Sequence, residues 1–348
     1  DEMGHVATAL NDLMTAFQAG LDRRDAAEQE LTALNRDLEQ RVAARTEELE
    51  HANQALEYEK TETERAFSEL EATHNALREA NQQILDSLHY AQRIQAATLP
   101  DRRALDGDIA DLQLWWQPLH EVGGDYVWMA RVDGKCLILL ADCTGHGVPG
   151  AFMSLIAATA IDRIVHDRGL RRPARILAAL DHLVRQRLRQ DNAETESDEG
   201  MDAMACLWDP AASTLTFAGA GMPMLYWDGA AIQEIRGDRA ALGYRTLRRA
   251  QQFTEHTISV TPGMTFYGLT DGVTDQMGEK THRLFGRRRL RRELATLQDR
   301  PLTAQIDAIK AILAAYRGSE AVRDDITMLA FIPQGVKDAP QPERQASK

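Results

Sequence analysis

Apolar residues recur at intervals of seven along the N-terminal part of the chain. The repeat comprises Val42, Leu49, Leu56, Leu70, Leu77 and Ile84, and Thr63 interrupts it. Residues 21–98 contain neither proline nor glycine. A sustained seven-residue repeat is typical of a left-handed coiled coil. The companion positions are often small or polar, as at Ala52 and Glu59. We therefore expect residues 21–98 to form a weakly packed, parallel dimeric coil, which serves either as a signal relay or as a passive spacer.

The pattern changes after about residue 108. Leu112, Leu114 and Trp116 alternate with polar or mixed positions, as in a strand with one buried face. Short apolar runs bounded by Gly, Pro or Asp predict further strands at 136–141, 204–207, 215–217, 224–227 and 265–269. Longer runs predict helices at 150–166, 173–189 and 302–316. Many strands with a few helices indicate a layered α/β fold of α+β sandwich type.

Composition narrows the class of protein. The chain has 348 residues and a formal net charge of −13. Residues 1–100 hold 20 acidic and 9 basic side chains, so the remainder is close to neutral. Nucleic-acid binding is disfavoured because it requires a basic face. The arginine runs 171–172 and 287–289 are expected to be solvated helix faces. No apolar run approaches the ~20 residues of a membrane-spanning helix.

Four short acidic runs carry the candidate chemistry. They are Val-Gly-Gly-Asp-Tyr at 122–126, Ala-Asp-Cys-Thr-Gly-His-Gly at 141–147, Thr-Asp-Gly at 270–272 and Arg-Asp-Asp-Ile-Thr at 323–327. Each places aspartate at a turn or strand end. Oxygen donors without a cysteine or histidine cluster favour a hard divalent cation such as Mg²⁺ or Mn²⁺. A single Asp-Gly is more often an ordinary turn, but four such runs together favour a metal site.

Other readings of these runs explain less of the sequence. Gly123-Gly124-Asp125 alone could belong to a diguanylate cyclase, which would leave the two downstream acidic runs unexplained. A sensor histidine kinase would require glycine-rich ATP-binding segments. Cys143 as a nucleophile would require a positioned base. Three scattered cysteines show no metal-site spacing and indicate a reducing compartment. A catalytically weak signalling scaffold remains the main alternative to an enzyme.

The motifs, taken in order, resemble the SpoIIE-type branch of the metal-dependent, type 2C serine/threonine phosphatases. The resemblance spans residues 85–333. It includes Gln-Arg-Ile-Gln at 92–95, Ala-Gly-Ala-Gly-Met-Pro at 218–223, Leu-Gly-Tyr at 242–244 and Leu-Phe-Gly at 284–286, besides the four acidic runs. It implies two antiparallel β-sheets between helical layers. It also implies hydrolysis of phosphoserine or phosphothreonine on a protein substrate.

The resemblance also implies a binuclear or larger Mn²⁺ or Mg²⁺ centre. Its ligands would be Asp125, Asp142, the backbone oxygen of Cys143, Asp271 and Asp324, with Asp325 as the alternative to Asp324. Asp142 and Asp125 would serve catalysis, and His146 is a candidate general acid. The wider family places its histidine two residues after the bridging aspartate, where this chain has Thr144. Met222 stands where relatives often have histidine.

The resemblance extends to partners and domain plan. It implies a phosphorylated STAS-domain-like substrate and a cognate kinase in the same circuit. Residues 1–20 begin Asp-Glu-Met-Gly and resemble the second helix of a HAMP relay module. We expect the phosphatase domain at 99–333, a disordered tail at 334–348 and a mobile loop at 192–200. The plan implies a cytoplasmic fragment of a bacterial inner-membrane receptor, reaching the membrane only through an upstream segment.

Overall fold

The computed structural model describes residues 2–191, 198–245 and 252–334, and its contacts divide the chain at Gln83/Ile84. The first helix, α1, spans Glu2–Thr98. In the N-terminal unit its heptad positions carry exposed apolar side chains, with Leu49 62% and Leu70 68% exposed. The predicted helix over residues 21–98 is confirmed. The coiled coil, the dimer and the HAMP assignment stay predictions.

In the part of the second unit that the structure describes, there are ten strands and four further helices. The strands are β1 (Ile109–Gln117), β2 (Tyr126–Val132), β3 (Lys135–Cys143), β4 (Met201–Asp209), β5 (Thr214–Ala220), β6 (Met224–Trp227), β7 (Ile232–Ile235), β8 (His256–Ser259), β9 (Thr265–Leu269) and β10 (Ile326–Pro333). The helices are α2 (Gly147–Asp162), α3 (Pro173–Leu188), α4 (Arg287–Ala295) and α5 (Leu302–Arg317). A π-helical turn, Arg163–Asp167, extends α2.

The strands form two five-stranded sheets. One has the order β1-β10-β9-β6-β7 and the other β2-β3-β4-β5-β8. Every pairing between named strands is antiparallel. This confirms the expected fold class of two antiparallel sheets flanked by helices.

The alternation of side chains along β3 explains the layered core. Ile138 and Leu140 point into a cluster shared by the two sheets, where they meet Phe266 and Phe331 of the facing sheet. Leu137 and Leu139 point the other way, into a cluster with α2 and α3. A third cluster packs α4 and α5 on the outer face of the first sheet. Because β3 is buried on both faces, its sequence is a continuous apolar run rather than an alternating one.

Several elements differ from the sequence expectation. Four strands, β2, β7, β8 and β10, were not predicted. β7 and β8 are four-residue strands with mixed polarity, β2 continues directly from a glycine-rich turn, and β10 follows directly on the acidic run that was read only for its aspartates. One described helical stretch, Gly147–Asp167, is also long and apolar enough to match a membrane span, against the expectation that none is. Half of it is buried, and Ile161 and Ile164 lie in the core cluster that covers the second sheet. We therefore assign this stretch to the protein core.

Two predicted irregular segments fall largely outside the described residues. The loop expected at 192–200 is described only at 198–200, where it has no regular structure. The tail expected after residue 333 is described only at Gln334.

Candidate active site

Three of the predicted aspartates line one cleft. Asp142 lies near the end of β3, Asp271 begins a 3₁₀ turn directly after β9, and Asp324 lies just before β10. They line a common cavity together with Cys143 and His146. The cleft therefore draws its carboxylates from both sheets, which is why no local stretch of sequence contains it.

Asp125 lies behind this cleft and is 2% exposed. Thr270 donates a hydrogen bond from Oγ1 to Asp125 Oδ2 at 2.8 Å. Burial raises the pKa of Asp125 to about 8, and the charges of Asp325 and Asp324 add to the increase. Asp125 is thus a buried carboxyl group whose position is held by the Thr270 hydroxyl.

Asp324 and Asp325 occupy different environments although they are adjacent. Asp324 faces the cleft. Asp325 is 5% exposed, and its two carboxylate oxygens accept hydrogen bonds from the backbone N–H of Leu119 at 2.6 Å and of Gly124 at 2.5 Å. A Cβ added to Gly123 would lie 2.7 Å from Asp325 Oδ2, so this close approach requires glycine. Asp325 therefore anchors the glycine-rich loop that precedes β2.

The cleft concentrates negative charge. Burial raises the pKa of Asp142 well above its ordinary value, and the charges of Asp125 and Asp271 raise it further. The pKa of Asp271 is raised to about 6, first by burial and then by neighbouring carboxylates including Asp324. The backbone N–H of Asp271 donates to Asp142 Oδ2 at 3.4 Å. Such clustered carboxylates favour either bound protons or a bound cation.

The residues that follow Asp142 have structural as well as cleft-facing roles. Thr144 lies two residues after Asp142, and its hydroxyl bonds to the Gly200 carbonyl at 2.8 Å and to the Tyr244 hydroxyl at 2.9 Å. His146 is exposed, lines the cleft and stacks on His120 with ring centroids 4.8 Å apart. His146 thus lies within reach of the cleft, whereas Thr144 is committed to a neighbouring loop.

Sequence reasoning missed three residues here. Asp202 and Tyr244 line the cleft, and Arg287 lines an adjoining cavity that shares Asp142, Asp202 and Asp271 with it. Asp202 is the direct cross-strand neighbour of Asp142 in the β3–β4 ladder. A charged side chain within the apolar strand Met-Asp-Ala-Met was the available signal for Asp202. Tyr244 belongs to the Leu-Gly-Tyr motif that was recognised without a role. Arg287 was expected to lie on a solvated helix face.

The donor chemistry of the cleft fits hard divalent cations. Its charged oxygen donors come from four aspartates, and Cys143 also lines it. A Cβ on Gly124 would lie 2.8 Å from the carbonyl oxygen of Cys143, so the two glycine-rich loops approach each other closely. Among residues 2–191, 198–245 and 252–334, no three histidine, cysteine or acidic side chains already surround a common point as ligands of one ion.

Comparison with known proteins places this fold among the type 2C serine/threonine phosphatases. A family model described as stage II sporulation protein E (SpoIIE) matches residues 132–332. The chain belongs to this SpoIIE family. Comparison with curated protein sequences gives no match.

Solved structures support the same assignment. The chain is 38% identical to the SiaA-PP2C domain of Pseudomonas aeruginosa, with a TM-score of 0.65, over 72% of this chain and 98% of that one. It resembles in fold the RsbU and RsbW domains of Rv1364c from Mycobacterium tuberculosis, with 21% identity, a TM-score of 0.53 and coverage of 68% and 62%. The SpoIIE phosphatase domain with a regulatory fragment from Bacillus subtilis has 14% identity, a TM-score of 0.51 and coverage of 67% and 63%.

Proposed function

We propose that this protein is a Mn²⁺- or Mg²⁺-dependent phosphatase that removes phosphate from serine or threonine on a protein substrate. The observation that carries the proposal is the convergence of Asp142, Asp202, Asp271 and Asp324 on one cleft. Family membership supplies the reaction class. The raised pKa values of Asp142 and Asp271 support cation binding, because a carboxylate cluster lacking enough positive charge gains most from a divalent ion.

We assign cation binding to Asp125, Asp142, Asp271, Asp324 and the backbone oxygen of Cys143. Bound divalent cations would activate water and neutralise charge on the phosphoryl oxygens. Asp325 is assigned a positioning role instead, because both its oxygens are already engaged by backbone N–H groups. Asp202 shares the cleft and is a further oxygen donor beside Asp142.

His146 is the candidate proton donor to the leaving serine or threonine oxygen. It lines the cleft and is open to solvent, so that it can be reprotonated after each turnover. Thr144, at the position of the family's histidine, is bonded to Gly200 and Tyr244. The His146→Gln substitution tests the assignment, because loss of a general acid would lower kcat without changing the concentration of Mn²⁺ needed for activity.

The protein substrate proposed is a phosphorylated STAS-domain-like protein, paired with a kinase in a partner-switching circuit. This step rests on the family and on the similarity to the SiaA domain, not on any contact within the chain. A receptor anchored to the bacterial inner membrane, with this chain in the cytoplasm, remains the proposed setting.

The N-terminal helix is proposed to form a parallel homodimer and to relay a signal. Support comes from its heptad pattern and from the exposure of its apolar positions in a single chain, with Leu56 63% and Leu77 60% exposed. Apolar residues spaced by seven along one helix present a seam that a second copy of that helix would cover.

The proposal is tested by phosphate release from a phosphoserine peptide and from p-nitrophenyl phosphate, with Mn²⁺ and with EDTA. Asp142→Asn should lower turnover by several orders of magnitude, whereas Asp299→Asn, at an exposed site outside the cleft, should not change it. Binding of Mn²⁺ without hydrolysis of either substrate would instead favour a signalling scaffold.

A further inference from the structure

Helix α4 has the largest net positive charge of the helices described in the second unit. Five of its nine residues are arginine, and Leu290 and Leu294 are buried beneath it. The other predicted basic pair is neutralised, since Arg171 bonds to Asp133 and Arg172 to Glu255. The charge of α4 therefore needs a separate explanation.

Nearby carboxylates neutralise α4 only in part. Glu234 of β7 lies 3.6–3.8 Å from three arginines at once, Arg236, Arg287 and Arg291. Arg292 pairs with Glu293 at 2.7 Å. Arg288 is exposed and forms no hydrogen bond or ion pair within the described part of the chain. Glu234, Glu293 and, at the cleft, Asp202 thus oppose Arg236 and the five arginines of α4, so a net positive surface remains.

This surface begins at the active-site cleft. Arg287, the first residue of α4, lines the cavity that contains Asp142, Asp202 and Asp271. The segment before α4 is fixed to the loop after Asp271, because Phe285 N–H donates to the Gln276 carbonyl at 2.9 Å and Gly286 N–H donates to the Thr274 carbonyl at 2.8 Å. The Arg287 side chain remains 52% exposed.

We propose that Arg287, Arg288, Arg291 and Arg292, the α4 arginine face, bind acidic residues that flank the phosphorylated residue of the protein substrate. This inference rests on the proposed function. When the phosphorylated residue occupies the cleft, the flanking polypeptide of the substrate must extend out of the cleft across its rim. On the α4 side that rim is basic. Guanidinium groups pair with carboxylates through two parallel hydrogen bonds. The basic rim also offsets the repulsion that the acidic cleft exerts on an acidic segment.

Helix geometry sets where the acidic residues should lie. Arg287 and Arg292 are separated by about 7.5 Å along the helix axis, at ~1.5 Å per residue. An extended peptide covers that distance in about two to three residues, at ~3.3 Å each. Arg287 itself lines the cavity beside Asp142, so the count starts at the cleft that would hold the phosphoserine. Acidic side chains about two to four residues from the phosphoserine should therefore reach the α4 arginine face.

The test uses the full chain with Mn²⁺ and three synthetic phosphoserine peptides. They differ only in whether the positions about two to four residues from the phosphoserine carry Glu, Gln or Lys. The readout is the ratio of kcat/KM values between peptides for one enzyme preparation, so that partial loss of metal or of folded protein cancels. The variants are Arg288→Glu with Arg292→Glu, both at exposed positions, and a control, Arg175→Glu, at an exposed position on α3.

We expect the unsubstituted chain to have a kcat/KM about tenfold higher for the Glu peptide than for the Lys peptide, because several exposed ion pairs would each change the rate by a factor of a few. High salt should remove this preference. The double variant should reverse the preference, and Arg175→Glu should keep it. Equal rates on all peptides, or a preference that survives charge reversal, would overturn the inference but leave the phosphatase proposal standing. Hydrolysis of no peptide would overturn both.

Discussion

The side-chain amide of Gln95 holds both backbone polar groups of Gly123. Gln95 Nε2 donates to the Gly123 carbonyl at 2.6 Å, and Gly123 N–H donates to Gln95 Oε1 at 3.1 Å. Gln95 is 4% exposed and also donates to Ser154 Oγ of α2 at 2.9 Å. The C-terminal end of α1 is therefore bonded to the loop that carries Asp125 and to the helix that follows Asp142.

Replacing Gln95 should disturb this loop. Gln95→Met keeps the size of the side chain but leaves the buried N–H and C=O of Gly123 without partners, at a cost of about 1–3 kcal/mol each. We expect a lower free energy of unfolding, and at least a tenfold loss of phosphatase activity from displacement of Asp125. Urea unfolding and phosphate release measure the two effects.

The control for this substitution is Gln54→Met, at an exposed position of the same helix. It should change neither quantity. Full activity in Gln95→Met would mean that the glycine-rich loop keeps its position without this contact.

Asp324 and Asp325 should respond in opposite ways to loss of charge. Asp325→Asn replaces one acceptor oxygen with an NH₂ group facing the N–H of Leu119 or Gly124, and should reduce the free energy of unfolding by about 1–3 kcal/mol. Asp324→Asn removes a repelling charge from the cleft. It should abolish activity, and the free energy of unfolding in EDTA should stay unchanged or rise slightly. Calorimetry in EDTA, paired with activity in Mn²⁺, separates the two. The reverse pattern would make Asp325 the cation ligand.

Stability without metal should fall with rising pH. The pKa of Asp125 is about 8 in the fold against an ordinary value of 3.8, so the folded state retains a proton that the unfolded chain releases. This contribution is fully present below about pH 4 and is lost as the pH rises through about 8. Asp271, with a pKa of about 6, acts in the same direction.

Added Mn²⁺ replaces those protons and should raise the melting temperature more at pH 8 than at pH 5. Thermal unfolding with MnCl₂, or with KCl at the same ionic strength, measures the difference. Asp125→Asn should flatten the pH dependence in EDTA. If MnCl₂ did not raise the melting temperature at pH 8 above its value in KCl, the cation site would be contradicted.

The heptad repeat should determine the oligomeric state. Leu49→Asp with Leu56→Asp places charges on the apolar seam and should convert a dimer to a monomer in sedimentation. If the coil regulates the phosphatase, the rate of phosphate release should change as well. Gln54→Asp, between those positions but off the seam, should remain dimeric. A monomeric parent chain would refute the coil, and a dissociated variant with an unchanged rate would leave the helix as a spacer.

The sequence by itself determined the features that depend on residues a few positions apart in the chain. The spacing of Leu49, Leu56 and Leu70 determined the long helix, and the continuous apolar run at 136–141 determined a strand buried on both faces. Asp142 and Asp271 were recognisable because a glycine-rich turn follows an apolar strand at each. These patterns depend on residues a few positions apart, where backbone geometry alone fixes which side chains share a face.

Only the tertiary structure decided which distant residues meet. Asp202 joins the cleft through the register of β3 against β4, and Arg287 through the backbone hydrogen bonds of Phe285 and Gly286. Asp324 and Asp325 are chemically identical neighbours, and their environments differ only because the N–H groups of Leu119 and Gly124, some 200 residues away along the chain, engage one of them. A carboxylate's role depends on the donors and charges that surround it, and pairing between distant strands supplies those.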